Sequence, residues 1–397
     1  MAQSEAEPGV RGKRGGVRRR RPYSTYLRRP SCLKPAADRS VVVAAVQDGE
    51  VVVDRRIPTH LVVMVNGIIG SASDWKYAAK QFVRKRPEDF VVHCSNCNYS
   101  TLTFDGVDVM GKRLAKEVMS VVAQTPGLQK ISFVGHSLGG LIARYAISLL
   151  YEKIVPNCSS DENCQCEYQS AGNKDINDKI KGKIAGLEPM NFITFATPHL
   201  GSRLHKQIPV LCGSYKLEKL AYHTCQILGR TGKHLFLKDK DNGKPPLLLQ
   251  MVSDYGDLRF MSALQSFKRR VAYSNVCNDF IVGWKTSSIR RQNELPKRQD
   301  FMKNSEHPRI VYIEKPTSVD VPQTDFSVIS THECKTMDEM EEAMINGLNR
   351  VPWERVDVSF RKSKQRFFAH STIQVKTYLI NSDGADVIFH MIDNFLL

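Results

Sequence analysis

The sequence predicts an α/β fold: a mostly parallel central sheet with helices on both faces. Three observations carry that prediction. Short, continuous apolar runs such as Leu61-Val62-Val63-Met64-Val65 and Phe192-Ile193-Thr194-Phe195-Ala196 read as strands covered on both sides. Helical stretches alternate with them, most clearly at 106–123, where Met110, Leu114, Val118 and Val121 recur at helical spacing. Finally, residues 131–143 run from a buried strand through Gly135-His136-Ser137-Leu138-Gly139 into an apolar helix. A turn that tight brings strand and helix so close that side chains two residues either side of Ser137 would clash, and glycine removes them.

The other elements follow in order. Residues 1–40, rich in Arg, Gly and Pro, read as a disordered basic tail. Two β-branched runs flank Asp48-Gly49 and predict a hairpin over 41–53. The strand at 61–65 ends in Asn66-Gly67-Ile68-Ile69-Gly70, and Asp74 is placed to cap a helix reaching about Lys85. A further strand is expected at 90–93. Residues 156–188 are polar; Cys158, Cys164 and Cys166 lack the paired C-x2-C spacing of zinc modules, so the stretch reads as a surface insertion. After the 192–196 strand comes Thr197-Pro198-His199-Leu200-Gly201. Residues 203–268 are mixed, with apolar patches at 208–211 and 245–251: the place for a lid or acyl-binding cap, or for ordinary helical packing on the sheet edge. Strands are expected at 271–276, 309–313 and 353–360. Thr336-x-x-Glu339 is a capping box opening a helix with Met337, Met340 and Met344 on one side. The chain closes on a helix over about 385–396. One domain, 41–397, is expected to hold all of this.

Composition narrows the function. The chain has 397 residues and a net charge of +16. Residues 1–40 hold eleven Lys or Arg against Glu5, Glu7 and Asp38, so half the excess lies outside the expected domain. No apolar run approaches the ~20 residues that span a bilayer, and no secretory pattern opens the chain. The ten cysteines are irregularly spaced and read as reduced thiols. An intracellular enzyme, cytoplasmic or peripherally membrane-associated, is expected; a plastid is the alternative if the tail is a transit peptide. Nucleic acid is not the expected partner. A peripheral contact with anionic membrane is, and removing residues 1–40 should then weaken binding to anionic vesicles.

The chemistry centres on Ser137. Gly-x-Ser-x-Gly between a strand and a helix is the nucleophile-elbow pattern of α/β-hydrolases, with a helix N-terminus aimed at a developing oxyanion. Serine is a weak nucleophile and needs a base, which needs an orienting acid. In this fold the order is Ser, then Asp or Glu, then His. His370 follows the last strand and precedes the final helix, as the base should. His390 lies inside that helix and reads as packing, and His136 as packing or steering of the elbow. Asp279 immediately follows the 271–276 strand; Asp254, Asp257 and Asp320 have no such strand before them. The oxyanion donors are expected to be the backbone N–H of Leu138 and one from the loop after the 61–65 strand, Ile68 first and Gly67 second.

Beyond these residues, the chain resembles the serine esterase, lipase-like α/β-hydrolases found in plants and fungi, the plant members most. The resemblance runs through Val65-Asn66-Gly67-Ile68-Ile69-Gly70, Phe104-Asp105-Gly106-Val107, Gly135-His136-Ser137-Leu138-Gly139-Gly140, Thr197-Pro198-His199-Leu200-Gly201, Asn278-Asp279-x-Ile281-Val282 and Ala369-His370-x-x-Ile373. It covers about 58–397. Asn66 departs from the His usual at its position. The resemblance implies Ser137, Asp279 and His370 as a triad, hydrolysis of lipid-like carboxylic esters such as acylglycerols or lysophospholipids, and no metal or organic cofactor. An acyltransferase or thioesterase using the same triad, and a non-catalytic scaffold of the same fold, remain open alternatives.

Overall fold

The apolar runs are strands because alternate side chains leave them on opposite faces, and here both faces are covered. In the computed structural model the described residues are 58–153, 182–202, 228–240, 243–316, 334 and 336–397, with the backbone of 43–47 and 50–54. The strands are β1 (Val43–Gln47), β2 (Glu50–Asp54), β3 (His60–Val65), β4 (Phe90–Cys94), β5 (Lys130–His136), β6 (Tyr151–Glu152), β7 (Lys183–Ile184), β8 (Glu188–Phe195), β9 (Arg269–Asn275), β10 (Ile310–Glu314) and β11 (Glu354–Val358). Seven of them form one sheet in the order β10-β11-β9-β8-β5-β3-β4. Every pairing is parallel except that of β10 with β11.

Leu61, Val63, Val65, Ile131 and Phe133 face one hydrophobic layer. It is built with α2 (Val107–Gln124), α3 (Leu138–Leu150) and the helices Phe260–Ser266 and Met337–Leu348. Val62, Met64, Val134, Ile193 and Tyr273 face the other, built with α1 (Lys76–Lys85) and the helix Ala385–Asp393. Strand β3 has β4 on one side and β5 on the other, so chain order reverses there. In open α/β sheets the crevice for a ligand forms at the C-terminal ends of strands where that reversal occurs. It puts Asn66-Gly67-Ile68 beside Ser137.

The hairpin β1–β2 pairs antiparallel, with Gln47 opposite Glu50. It belongs to a unit, Met1–Arg55, separate from the unit Arg56–Leu397 that holds the large sheet. Asp74 does not cap a helix. It sits within the single 3-10 turn Ala72–Trp75 that precedes α1, and its carboxylate pairs with Lys376 at 3.2 Å. The expected capping box at Thr336 and Glu339 forms. Most of the expected insertion at 156–188 lies outside the described residues, as do 203–227 of the expected lid. The described remainder of that second stretch includes Phe260–Ser266, whose Phe260 packs edge-on against Tyr145 of α3 at 5.6 Å. Among the described residues Cys94, Cys97 and Cys277 are free thiols.

Two buried histidines tie stability to pH. His60 shares a hydrogen bond with Ser132 Oγ at 2.8 Å, and His390 one with the Tyr273 hydroxyl at 2.9 Å. Burial pushes each imidazole down to about 4, helped by Lys130 near His60 and by His307 near His390. The unfolded chain protonates these groups near 6.5 while the folded one does not, so acidification favours unfolding. Stability should therefore be full near neutrality and fall from about pH 6.5 to pH 4, by about 3 kcal/mol per histidine at the lower limit. Thermal melts between pH 7 and pH 4.5 check this, and His60→Asn should flatten the profile; an equally steep fall in that variant would count against the assignment.

Candidate active site

Ser137 closes β5 and opens α3. Its backbone sits at φ 54° and ψ −126°, a conformation costing a side-chain-bearing residue about 1–3 kcal/mol. The surroundings impose it. Ser137 N–H donates to Phe195 O at 2.8 Å, which ties the elbow to the end of β8. A Cβ on Gly135 would lie 2.6 Å from Gly140 N, and one on Gly139 would lie 2.3 Å from Val65 O. The two flanking glycines are thus required by close approach, as the motif predicts.

His370 comes from the single-turn helix Ala369–Thr372 after β11, and Asp279 from the turn after β9. Their side chains meet Ser137. The Ser137 hydroxyl and His370 Nε2 are 3.0 Å apart, and His370 Nδ1 and Asp279 Oδ2 are also 3.0 Å apart. An ionised carboxylate only accepts, so Nδ1 carries the proton and Nε2 is free to accept from serine. Asp279 Oδ1 accepts from the N–H groups of Ile281 (3.0 Å) and Val282 (2.8 Å), and Oδ2 from Asn275 Nδ2 (2.9 Å). Burial alone would raise this carboxyl's pKa. The His370 charge and hydrogen bond, with the Val282 and Asn275 donors, outweigh burial and hold it below the ordinary carboxylate value.

The competing candidates have other work. Asp254 accepts from Met261 N, Ser262 N and the Ser262 hydroxyl, holding the first turn of Phe260–Ser266. His390 packs against Tyr273. Asp320 lies outside the described residues. His136 has a role that residue order could not reveal: its Nε2–H donates to the backbone carbonyl of His370 at 2.7 Å. Full burial, with His370 beside it, keeps its pKa well below the ordinary histidine value, so it stays a neutral donor.

Leu138 and the loop after β3 complete the site. As the first residue of α3, Leu138 has an N–H with no partner inside the helix. Asn66 Nδ2 donates to Gly67 O at 3.1 Å and to Asn98 O at 2.9 Å, and Gly70 N–H also donates to Gly67 O, at 3.1 Å. In a trans peptide the next N–H points opposite the carbonyl, so these donors turn the Ile68 N–H the other way. Among the described residues no hydrogen bond uses that N–H. Gly67 and Ile68 line a cavity of about 130 Å³ with Ser137 and His370, rimmed by Ile281 and by the Asp74–Lys376 pair.

Sheet order, elbow and the hydrogen-bonded serine, histidine and aspartate define the class: this is an α/β-hydrolase. Comparison with known sequences narrows it further. The chain belongs to the family described as "Putative serine esterase (DUF676)", whose model matches residues 55–289. Ser137 and Asp279 fall inside that match and His370 beyond it. The chain is 32% identical over 235 residues to "Putative lipase ROG1" and 29% identical over 241 residues to "Putative lipase YDL109C", both of Saccharomyces cerevisiae. Those alignments cover 58% and 60% of this chain but 28% and 31% of the relatives, so the match spans less than a third of their length. Among solved structures, "Phospholipase PlaB from Legionella pneumophila in complex with thio-NAD" aligns at TM-score 0.31 and 14% identity, over 56% of this chain and 39% of that one. That likeness is too loose for activity to be read from it.

Proposed function

We propose that this protein hydrolyses carboxylic esters of lipid-like substrates, acylglycerols or lysophospholipids, through Ser137, His370 and Asp279. The observation that carries the reading is the hydrogen-bond chain from Ser137 through His370 to Asp279, assembled from three strand ends at one edge of the sheet. Ser137 Oγ attacks the ester carbonyl as His370 Nε2 takes its proton. Leu138 and Ile68 donate backbone N–H groups to the oxyanion. The tetrahedral intermediate collapses, His370 returns the proton to the departing alcohol, and an acyl-enzyme remains. Water, deprotonated by the same nitrogen, releases the acid and restores Ser137. Asp279 stabilises the imidazolium at both stages. The route calls for no metal or organic cofactor.

A fluorophosphonate probe tests the reading. Wild-type protein should be labelled, and peptide mapping should place the adduct on Ser137; labelling at another residue, or none in folded protein, would overturn it. A panel of esters, thioesters and acyl acceptors then separates hydrolysis from acyl transfer.

Asn66 supplies a second test. It holds the Gly67 carbonyl and thereby aims the Ile68 N–H. Asn66→Ala should lower kcat on a soluble ester by about tenfold with KM little changed, since the interaction it supports strengthens only as the oxyanion forms. A change confined to KM would remove Asn66 from this role.

A further inference from the structure

Between β11 and the helix Ala385–Asp393 the chain makes a compact excursion that carries His370. Its two arms are pinned together. Gln365 Nε2 donates to Ser382 Oγ at 3.0 Å, Asp383 N–H donates to Gln365 Oε1 at 3.0 Å, and Asn381 Nδ2 donates to Thr372 Oγ1 at 2.9 Å. Ala369, His370, Thr372, Ile373 and Val375 are buried on its inner side. Its outer side is apolar to a degree that folding does not explain. Phe367 and Phe368 on one arm, and Tyr378, Leu379 and Ile380 on the other, are all exposed, Leu379 at 91% of its surface. Ser371 and Lys376, between the two arms, line the cavity over Ser137. Ile281, on the Asp279 turn, is another exposed apolar residue of that rim, and Ile69, next to Ile68, is exposed as well.

Charge says what such a rim meets. From Ser359 to Ser382 the sequence holds Arg361, Lys362, Lys364, Arg366 and Lys376 and no acidic residue. The first four are exposed and form no ion pair among the described residues. Arg366 lies over the Phe367 ring at 4.7 Å, so cation and aromatic tip occupy one spot. Exposed large apolar side chains held on a fixed scaffold mark an interaction surface. Apolar tips flanked by unpaired cations fit the boundary between headgroups and acyl chains of an anionic bilayer. Cavity size agrees. About 130 Å³ is close to the space that holds one benzene-sized molecule, so it takes an ester group and a few carbons. A long acyl chain exceeds that space, and the exposed apolar rim lies beside it.

We propose that the outer face of residues 361–380 docks on an anionic phospholipid surface and sets the cavity over Ser137 against it. The proposal rests on the lipid-ester reading above and assigns the membrane contact to the body of the enzyme, next to His370, as well as to any part the 1–40 tail plays.

Full-length Ser137→Ala protein, which cannot consume the lipid, is sedimented with vesicles of phosphatidylcholine alone or mixed with phosphatidylserine. It should bind the mixed vesicles preferentially. On that background, Phe368→Ser with Leu379→Ser, and separately Lys362→Glu with Lys364→Glu, should each weaken binding by roughly tenfold or more. The tail is present throughout, so its charge is constant, and all four substituted side chains are exposed, so thermal melts should match the parent. Unchanged affinity in either double variant overturns the proposal, as does equal binding to phosphatidylcholine alone. Because sedimentation needs no turnover, absent binding together with fluorophosphonate labelling of the wild type refutes the docking face alone. Absent labelling together with binding refutes the esterase reading alone.

Discussion

Ser137→Ala is expected to lower kcat for a soluble ester by about four to six orders of magnitude while the protein stays folded. The size of the effect follows from what remains. Without Oγ, His370 has no proton to take and no acyl-enzyme forms; only oxyanion donors and binding are left, which sustain about a thousandfold over water in comparable sites. The fold should hardly respond. Alanine keeps the Cβ, so the contacts around the elbow are unchanged, and alanine is no worse than serine at φ 54°. The Ser137 N–H still donates to Phe195 O. Steady-state rates beside a thermal melt check both halves. A variant keeping more than about a hundredth of wild-type activity with an unchanged melt would place the nucleophile elsewhere.

What the sequence made legible is what is local. Runs such as 61–65 identify strands by their own composition, and Gly-x-Ser-x-Gly encodes its turn in five residues. The side chains named from chain order and strand ends, Ser137, Asp279 and His370, do meet, because the rule they follow concerns which strand ends the fold brings to one edge. What stayed hidden is long-range. His136 donating to His370 O joins residues 234 apart, and the pairing of Asp74 with Lys376 joins two loops with no shared pattern. Asp74 precedes a helix and by local rules reads as its cap, but its carboxylate turns to a distant cation instead. The antiparallel β10 and the sheet order depend on which strands pair and in which direction, a long-range choice that alternation within one strand cannot fix. The excursion around His370 is built of helices too short to show a period, such as Ala369–Thr372 and Tyr378–Asn381, so its apolar outer face could not be told from core.

The second large effect belongs to a change that leaves shape almost intact. Asp279→Asn should lower kcat by about 10⁴-fold near neutral pH. The hydrogen bonds around the side chain dictate which way the amide turns. Oδ1 now accepts from Ile281 N–H and Val282 N–H, and only the amide oxygen can keep those bonds. That orientation places the NH₂ where Oδ2 stood, facing His370 Nδ1 at the present 3.0 Å and Asn275 Nδ2 at 2.9 Å. Two donors cannot share that contact. His136 holds the His370 backbone in place through its carbonyl, so a change of tautomer is the smallest adjustment open to the ring. The imidazole is expected to change tautomer, with Nδ1 accepting and Nε2 carrying the proton. Nε2 then faces the Ser137 hydroxyl as a donor and can no longer take its proton. The loss should therefore fall on kcat, with KM for a soluble ester little changed. A nitrogen NMR spectrum should show the protonated ring nitrogen of His370 switching from Nδ1 to Nε2. An Asp279→Asn enzyme that keeps a tenth of the wild-type rate, or a ring still protonated at Nδ1, would show that something other than Asp279 sets the proton on His370.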